Sequence, residues 1–198
     1  KLNSTYDKAF PAGTQPVKNT SEDVFAMQVT TSSGSNNFQQ FYSVNGRGDI
    51  AISNAYLATY EDNDDRFDLF YADAGSNFCG KFENQYGNVH IIRLAELYLT
   101  RAEANFRLGS STGETPLDDI NTIRKRAGLK NLNTGNLTLD AILLERKHEL
   151  DFEGFALHDV KRLEGMVGLL SWDDPKLVYP IPLRELRVNP NLTQNDGY

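Results

Sequence analysis

The stretch Phe38-Gln39-Gln40-Phe41-Tyr42-Ser43-Val44-Asn45-Gly46-Arg47 sets aromatic rings among amide and guanidinium groups. That mixture suits a sugar, whose C–H face stacks on a ring while its hydroxyls bond Asn, Gln or Arg. By composition the stretch is a loop, and binding residues concentrate in loops held by a rigid scaffold. Phe41, Tyr42, Asn45 and Arg47 are therefore the first ligand-binding candidates. Trp172, flanked by Asp173 and Asp174, is a further one; Tyr56 and Tyr60 come after it. The competing reading of all these rings is packing within the protein.

The acidic residues admit a different chemistry. Glu145, Glu149 and Glu153 recur every four residues, which puts them on one face of a helix. Glycoside hydrolysis needs two carboxyls about 5 or about 6.5–9.5 Å apart across a cleft, and spacing along the chain does not establish that. Like charges at this spacing call for cations, and Arg93, Arg101, Arg124, Arg126 and Arg162 are available. The favoured reading is a structural ion-pair network, with Arg146 meeting Glu149 and Lys147 meeting Asp151 along the helix. No catalytic residue is assigned.

Metal and nucleophile chemistry find little support. His90, His148 and His158 lack ligand spacing, and His148-Glu149 does not continue into H-E-x-x-H. In the acidic run Glu61–Asp68, Arg66 takes a calcium-ligand position and Phe67 stands where an EF-hand loop needs Gly. No metal site or cofactor is expected. Cys79 is the single cysteine, so an internal disulfide is excluded. Neither a G-x-S-x-G elbow nor a P-loop occurs.

The elements that must position these residues fall into two regimes. Residues 1–88 are rich in Gly, Asn, Ser, Asp and aromatics and read as an irregular, loop-rich subdomain with short strands. Val24–Thr30 alternates as a strand with Phe25, Met27 and Val29 on one side. Ser53 is an N-cap for a short helix. Residues 89–198 read as a helical region forming one compact unit with 1–88. Val89–Leu108 carries a stripe of Ile92, Ala95, Leu99, Ala102 and Phe106 and ends at Gly109. Thr115-Pro116 caps a second helix that buries Leu117, Ile120, Ile123 and Ala127. Thr138 opens a third long helix with a break at Gly154. The fold expected is mainly α, with the first two helices forming a tetratricopeptide-like hairpin. One such pair does not bury both its faces, so the third helix, the N-terminal half or further hairpins upstream must cover it.

The chain has 198 residues, a net charge of −7 and 39% hydrophobic residues. Residues 1–88 hold 6 basic and 11 acidic side chains, and residues 89–198 hold 14 and 16. Neither half carries the basic footprint of a nucleic-acid or anionic-membrane binder, while neutral ligands such as sugars stay open. No apolar run approaches the ~18 residues of a membrane span. The chain begins Lys1-Leu2-Asn3 without Met or an apolar leader, as a processed or excised piece does.

The ordered series Ile92-Arg93-Leu94-Ala95-Glu96-Leu97-Tyr98-Leu99, Arg101-Ala102-Glu103-Ala104 and Ile120-Asn121-Thr122-Ile123-Arg124-Lys125-Arg126-Ala127-Gly128-Leu129 resembles the SusD/RagB family. So do Glu145-Arg146, Glu149-Leu150, Phe152-Glu153-Gly154, Asp159-Val160-Lys161-Arg162 and the tail from Pro180-Ile181-Pro182 to Gly197-Tyr198. Ala156 departs from the pattern, standing where the family usually has Arg, and His158 replaces an aromatic. The resemblance implies a non-enzymatic binder of glycans or related nutrients. It implies a lipid-anchored protein on the outer-membrane cell surface that serves a TonB-dependent transporter, with the anchor outside these residues. It also implies that this chain is the C-terminal portion of something longer. A helical scaffold for a protein or peptide is the alternative, and a carbohydrate-active hydrolase a further one.

Overall fold

A computed structural model describes all 198 residues. They form two units, Lys1–Leu150 and Asp151–Tyr198. The compositional change near Asn88 falls inside the first.

In the first unit, β1 (Asp23–Met27) leads to α1 (Asn37–Tyr42) and α2 (Asn54–Leu57). A hairpin follows, β2 (Phe70–Asp73) and β3 (Ser76–Cys79), then β4 (Val89–Arg93). Three longer helices complete it: α3 (Leu94–Leu108), α4 (Pro116–Arg126) and α5 (Leu139–Glu149). The helix boundaries follow local chemistry. Gly109 ends α3 in the left-handed conformation. Thr115 and Thr138 cap α4 and α5 through hydrogen bonds accepted from Asp118 N and Ala141 N. Ala95, Leu99 and Ile123 form one buried cluster, and Ala102, Ile120 and Ile142 another, so α3, α4 and α5 share a core.

Two elements differ from the sequence expectation. Val89–Arg93 is not the first turn of α3 but a strand, antiparallel to β1 and bulged near Phe25. Its run of β-branched residues, Val89, Ile91 and Ile92, favours the pleat. Leu94 N–H donates to Glu22 O at 2.8 Å, and the helix begins there. Ile92 is consequently exposed and lies off the core stripe. Along β1, Phe25 and Met27 face solvent, and Val29 is buried beyond the strand end.

The stretch expected as a loop around Phe38–Arg47 begins as the helix α1. Asn36 caps it by accepting from Phe38 N at 2.8 Å, and its own amide donates to Gly87 O at 3.0 Å. That buried cap converts a polar, loop-like composition into a fixed turn of helix.

The second unit holds α6 (Ala156–Arg162), the two-residue strands β5 (Met166–Val167) and β6 (Leu170–Ser171) paired antiparallel, and α7 (Leu183–Val188). The third long helix of the sequence reading is thus α5 and α6, separated by a break in which Phe152 and Gly154 both take positive φ.

Candidate functional site

The β2–β3 hairpin turns through Ala74 and Gly75, both at positive φ, and sets Tyr71 opposite Phe78. The two rings stack, with centroids 5.8 Å apart. The Tyr71 hydroxyl accepts the backbone N–H of Val44 at 3.1 Å. Next along the chain, Asn45 Nδ2 donates to Glu83 Oε2 at 2.9 Å. These two bonds fasten the segment after α1 to the hairpin and to Glu83. Beside them lies an open cleft of about 420 Å³ with Asp7, Lys8, Pro11, Asp68, Tyr71 and Glu83 on its walls, a volume suited to a small ligand. Burial raises the Tyr71 phenol above its ordinary range, and the Glu83 carboxylate adds to the shift. At neutral pH the phenol keeps its proton and can donate.

Glycine geometry holds the cleft in shape. A Cβ on Gly80, in its wall, would sit 2.6 Å from Leu69 O. A Cβ on Gly46 would meet Gln39 O and Gln40 Cα at 2.7 Å, so the backbone folds tightly onto α1 between Asn45 and Arg47.

The structure keeps four of the five sequence candidates on one segment and assigns them different work. Phe41 is 39% exposed, and the Arg47 guanidinium lies 5.4 Å from its ring centroid. Arg47 also pairs with Asp49 at 2.7 Å. Asn45 borders the cleft through Glu83. Tyr42 is half-buried: its ring packs on Phe82 at 5.3 Å and stacks on Phe38 at 6.1 Å. It belongs to a ring cluster with Phe10 and Phe82 more than to a rim. Trp172 is 38% exposed and lies in the second unit, just after β6. Tyr60, the weaker candidate, stacks on His148 with centroids 4.1 Å apart.

Tyr71 and Glu83 were not singled out from the sequence. The signal for Tyr71 is the run Phe70-Tyr71-Ala72-Asp73-Ala74-Gly75-Ser76-Asn77-Phe78, an aromatic pair either side of a Gly-containing turn. Glu83 carries no local signal, because its role depends on residues 38 positions away.

Glu145 and Glu149 of α5 face inward, into an ion-pair network. Glu149 is fully buried, with Oε1 accepting from Arg93 Nη1 at 2.5 Å and from Arg126 Nη2. Its own carbonyl accepts from Tyr6 Oη at 2.9 Å, Lys81 Nζ at 3.2 Å and Arg93 Nη2. Arg126 Nη1 bonds Glu22. Arg66 bridges Asp64 and Glu145, both at 2.7 Å, and Arg124 joins Glu145 at 3.0 Å to Glu61 at 2.7 Å. Burial works to raise the Glu149 pKa, but the Arg126, Arg93 and Arg66 charges outweigh it and hold the carboxyl down at about 2.

Some expected pairs rearrange. Arg146 reaches Glu96 at 3.4 Å instead of Glu149, Arg101 grips Asp119 through two bonds of 2.8 and 2.7 Å, and Arg162 pairs with Asp159 at 2.7 Å. Arg66, with 1% of its surface exposed, is the network member the sequence reading overlooked. The acidic turn before it serves the same network, since both Asp64 oxygens bind Arg66, at 2.8 and 2.7 Å.

Residues 80–176 match the model of the SusD family. The chain is 35% identical over 126 residues to the starch-binding protein SusD of Bacteroides thetaiotaomicron, an alignment covering 56% of this chain and 22% of that protein. It is 31% identical over 126 residues to the SusD-like protein P38 of Formosa agariphila, covering 56% of this chain and 25% of the relative. Among solved structures, surface glycan-binding protein A from Bacteroides uniformis superposes with a TM-score of 0.77 over 98% of this chain and 52% of that one, at 21% identity. That likeness speaks for the fold. The aligned part of the chain spans about a quarter of the length of these curated relatives. The family-model match over residues 80–176 and the curated relatives together support a SusD/RagB family protein.

Proposed function

We propose that this chain is part of a non-catalytic glycan-binding protein at a bacterial cell surface, and that the cleft beside Tyr71 is where it meets its ligand. The carrying observation is the 35% identity to a protein named for binding starch. The geometry supports it: the Tyr71 ring, the Glu83 carboxylate and the adjoining Asn45 combine an apolar face with hydrogen-bonding groups in a cleft of about 420 Å³. Phe41, with Arg47 over its ring, extends this surface along the same segment.

The finer picture is also a proposal. The bound glycan passes to a TonB-dependent outer-membrane transporter, and a lipid anchor outside these residues holds the protein at the surface. The α3–α4 pair acts as a tetratricopeptide-like scaffold element. The principal carboxylates of α5 are taken up by arginines, which favours binding over hydrolysis.

The test is titration calorimetry of the chain against a panel of neutral polysaccharides, with reducing ends monitored. Binding without product is expected, with an affinity loss of about tenfold for Tyr71→Ala. Release of reducing ends would replace the binding reading with a hydrolase. Failure of every saccharide to bind would retire it.

A further inference from the structure

His90, near the start of β4, has both ring nitrogens engaged and a side chain only 7% exposed. Nδ1 faces the carboxylate of Asp23 on β1, itself 1% exposed. Nε2 lies 2.8 Å from Ala9 O. Both partners are acceptors. A backbone carbonyl has no proton to give, and the second Asp23 oxygen already accepts from Thr20 N at 2.6 Å. A neutral imidazole has one N–H and one lone pair; only the imidazolium donates from both nitrogens. Imidazole is a stronger base than carboxylate, so the proton between Nδ1 and Asp23 stays on the ring. The arrangement is therefore satisfied by a doubly protonated His90 on an ionised Asp23.

The bond to Ala9 reaches the cleft. Ala9 ends the short turn Asp7–Ala9, and Asp7, Lys8, Phe10, Pro11 and Ala12 line the cleft around it. The segment has anchors on either side: Tyr6 Oη on Glu149 O at 2.9 Å, and Asn84 Nδ2 on Pro11 O at 3.3 Å. Between them stands the His90 tie, the ring edge-on to Phe10 at 5.2 Å. The charges around the ring are of both signs. Lys81 and Arg93 lie over the Phe10 ring at 5.1 and 5.6 Å. Lys18 and Lys81 share with His90 and Asp23 a cavity of about 20 Å³, room for about one water and so a route for a proton. Asp7 and Lys8 belong to the cleft side of the turn. The cations oppose the imidazolium and Asp23 supports it.

We infer that His90 is a pH-operated latch on the cleft wall: doubly protonated it clasps Ala9, and on losing a proton it releases residues 7–12. Charge decides which bond goes. The nitrogen facing the Asp23 carboxylate keeps its proton, so Nε2 gives one up and turns a lone pair on Ala9 O. The latch is closed at low pH and opens as pH rises. The outer anchors remain, so the segment loosens while the unit stays folded. This holds whatever the cleft binds.

The experiment uses the full chain without ligand. Ring NMR, with His90 assigned through its own backbone, counts the protons between about pH 5.5 and about pH 9. Both nitrogens should be protonated at the low end, and Nε2 should be bare at the high end. The Ala9 and Phe10 amides, held on Tyr6 O and Asp7 O, report the segment by hydrogen exchange. Corrected for the intrinsic effect of pH, their protection should fall about tenfold as the ring titrates. His90→Gln, whose amide donates at one end only, should show the low protection at every pH. Asp23→Asn should move the opening down by about one pH unit or more; it keeps the histidine and serves should His90→Gln not fold. A ring neutral at about pH 5.5, or doubly protonated still at about pH 9, would overturn the latch. So would protection that stays constant while the ring titrates, or an opening that Asp23→Asn leaves in place.

Discussion

Replacing Glu149 by Gln tests whether the buried network holds the first unit together. The substitution keeps volume and removes one charge from a site shared by Arg93, Arg126 and Arg66, at 2.5 Å from Arg93 Nη1 and 3.6 Å from Arg66 Nη1. Its magnitude can be approached in two ways. The Glu149 carboxyl is held down from its ordinary value of 4.5 to about 2, which at about 1.4 kcal/mol per pH unit is about 3 kcal/mol of preferential stabilisation of the ionised form. Breaking a buried ion pair from one side generally costs about 3–5 kcal/mol, since the partner charges stay buried and uncompensated. For a unit of this size that corresponds to a fall in melting temperature of about 6–20 °C. The assay is urea unfolding followed by circular dichroism at pH 7, with Arg126→Met and the double variant closing a mutant cycle. The sign in pH follows from the lowered pKa. The Glu149 contribution is full above about pH 4.5 and is lost as pH falls toward 2, so the gap between wild type and Glu149→Gln should close across that window. A loss below about 1 kcal/mol at pH 7, or a gap that does not close in acid, would refute the account of the network.

His148 gives an independent pH prediction. Burial first, then the Arg66 charge, lowers its pKa to about 4. The folded unit therefore disfavours the imidazolium, and stability should fall as pH drops from about 6.5 to about 4, by an amount on the order of 3 kcal/mol that His148→Gln abolishes; a midpoint series between pH 7 and 4 reads it. Thr115→Ala removes the cap that accepts from Asp118 N and should cost about 1 kcal/mol in the same unfolding assay. Ile120→Ala, in a fully buried position between α3 and α5, should cost about 2–5 kcal/mol. Gly46→Ala forces a Cβ to 2.7 Å from backbone atoms of α1, so it should weaken saccharide binding as well as stability by displacing Asn45, which paired titration and melting measurements would register.

The helical half of the first unit was legible because its signals are local. Thr115-Pro116, Thr138 and Gly109 mark ends by capping chemistry, and Leu99, Ala102, Ile120 and Ile123 mark the buried stripes by period. The strand Val89–Arg93 was not, because it carries apolar residues that continue the helical period of α3 while pairing with a partner some 65 residues upstream. The candidate site, as proposed, was half-legible for the same reason. Asn45 and Phe41 stand out by residue type. Tyr71, Glu83 and Arg66 take their roles from partners far along the chain, which no window of sequence contains.

The tie between the first and last parts of the first unit has a kinetic side. Tyr6 bonds the carbonyl of Glu149 across 143 residues, and Glu22 meets Arg126 across 104. Contacts this distant close late, after the loop entropy between them has been met. On the ribosome, the N-terminal segment must wait for nearly the whole unit to emerge before Tyr6 and Glu22 find their partners. Until then Arg93 and Arg126 share the Glu149 carboxylate alone. The α3–α5 core, with Arg93 and Arg126 on Glu149, assembles from nearby sequence, and Glu22 adds its second carboxylate only when the segment before β1 packs against it.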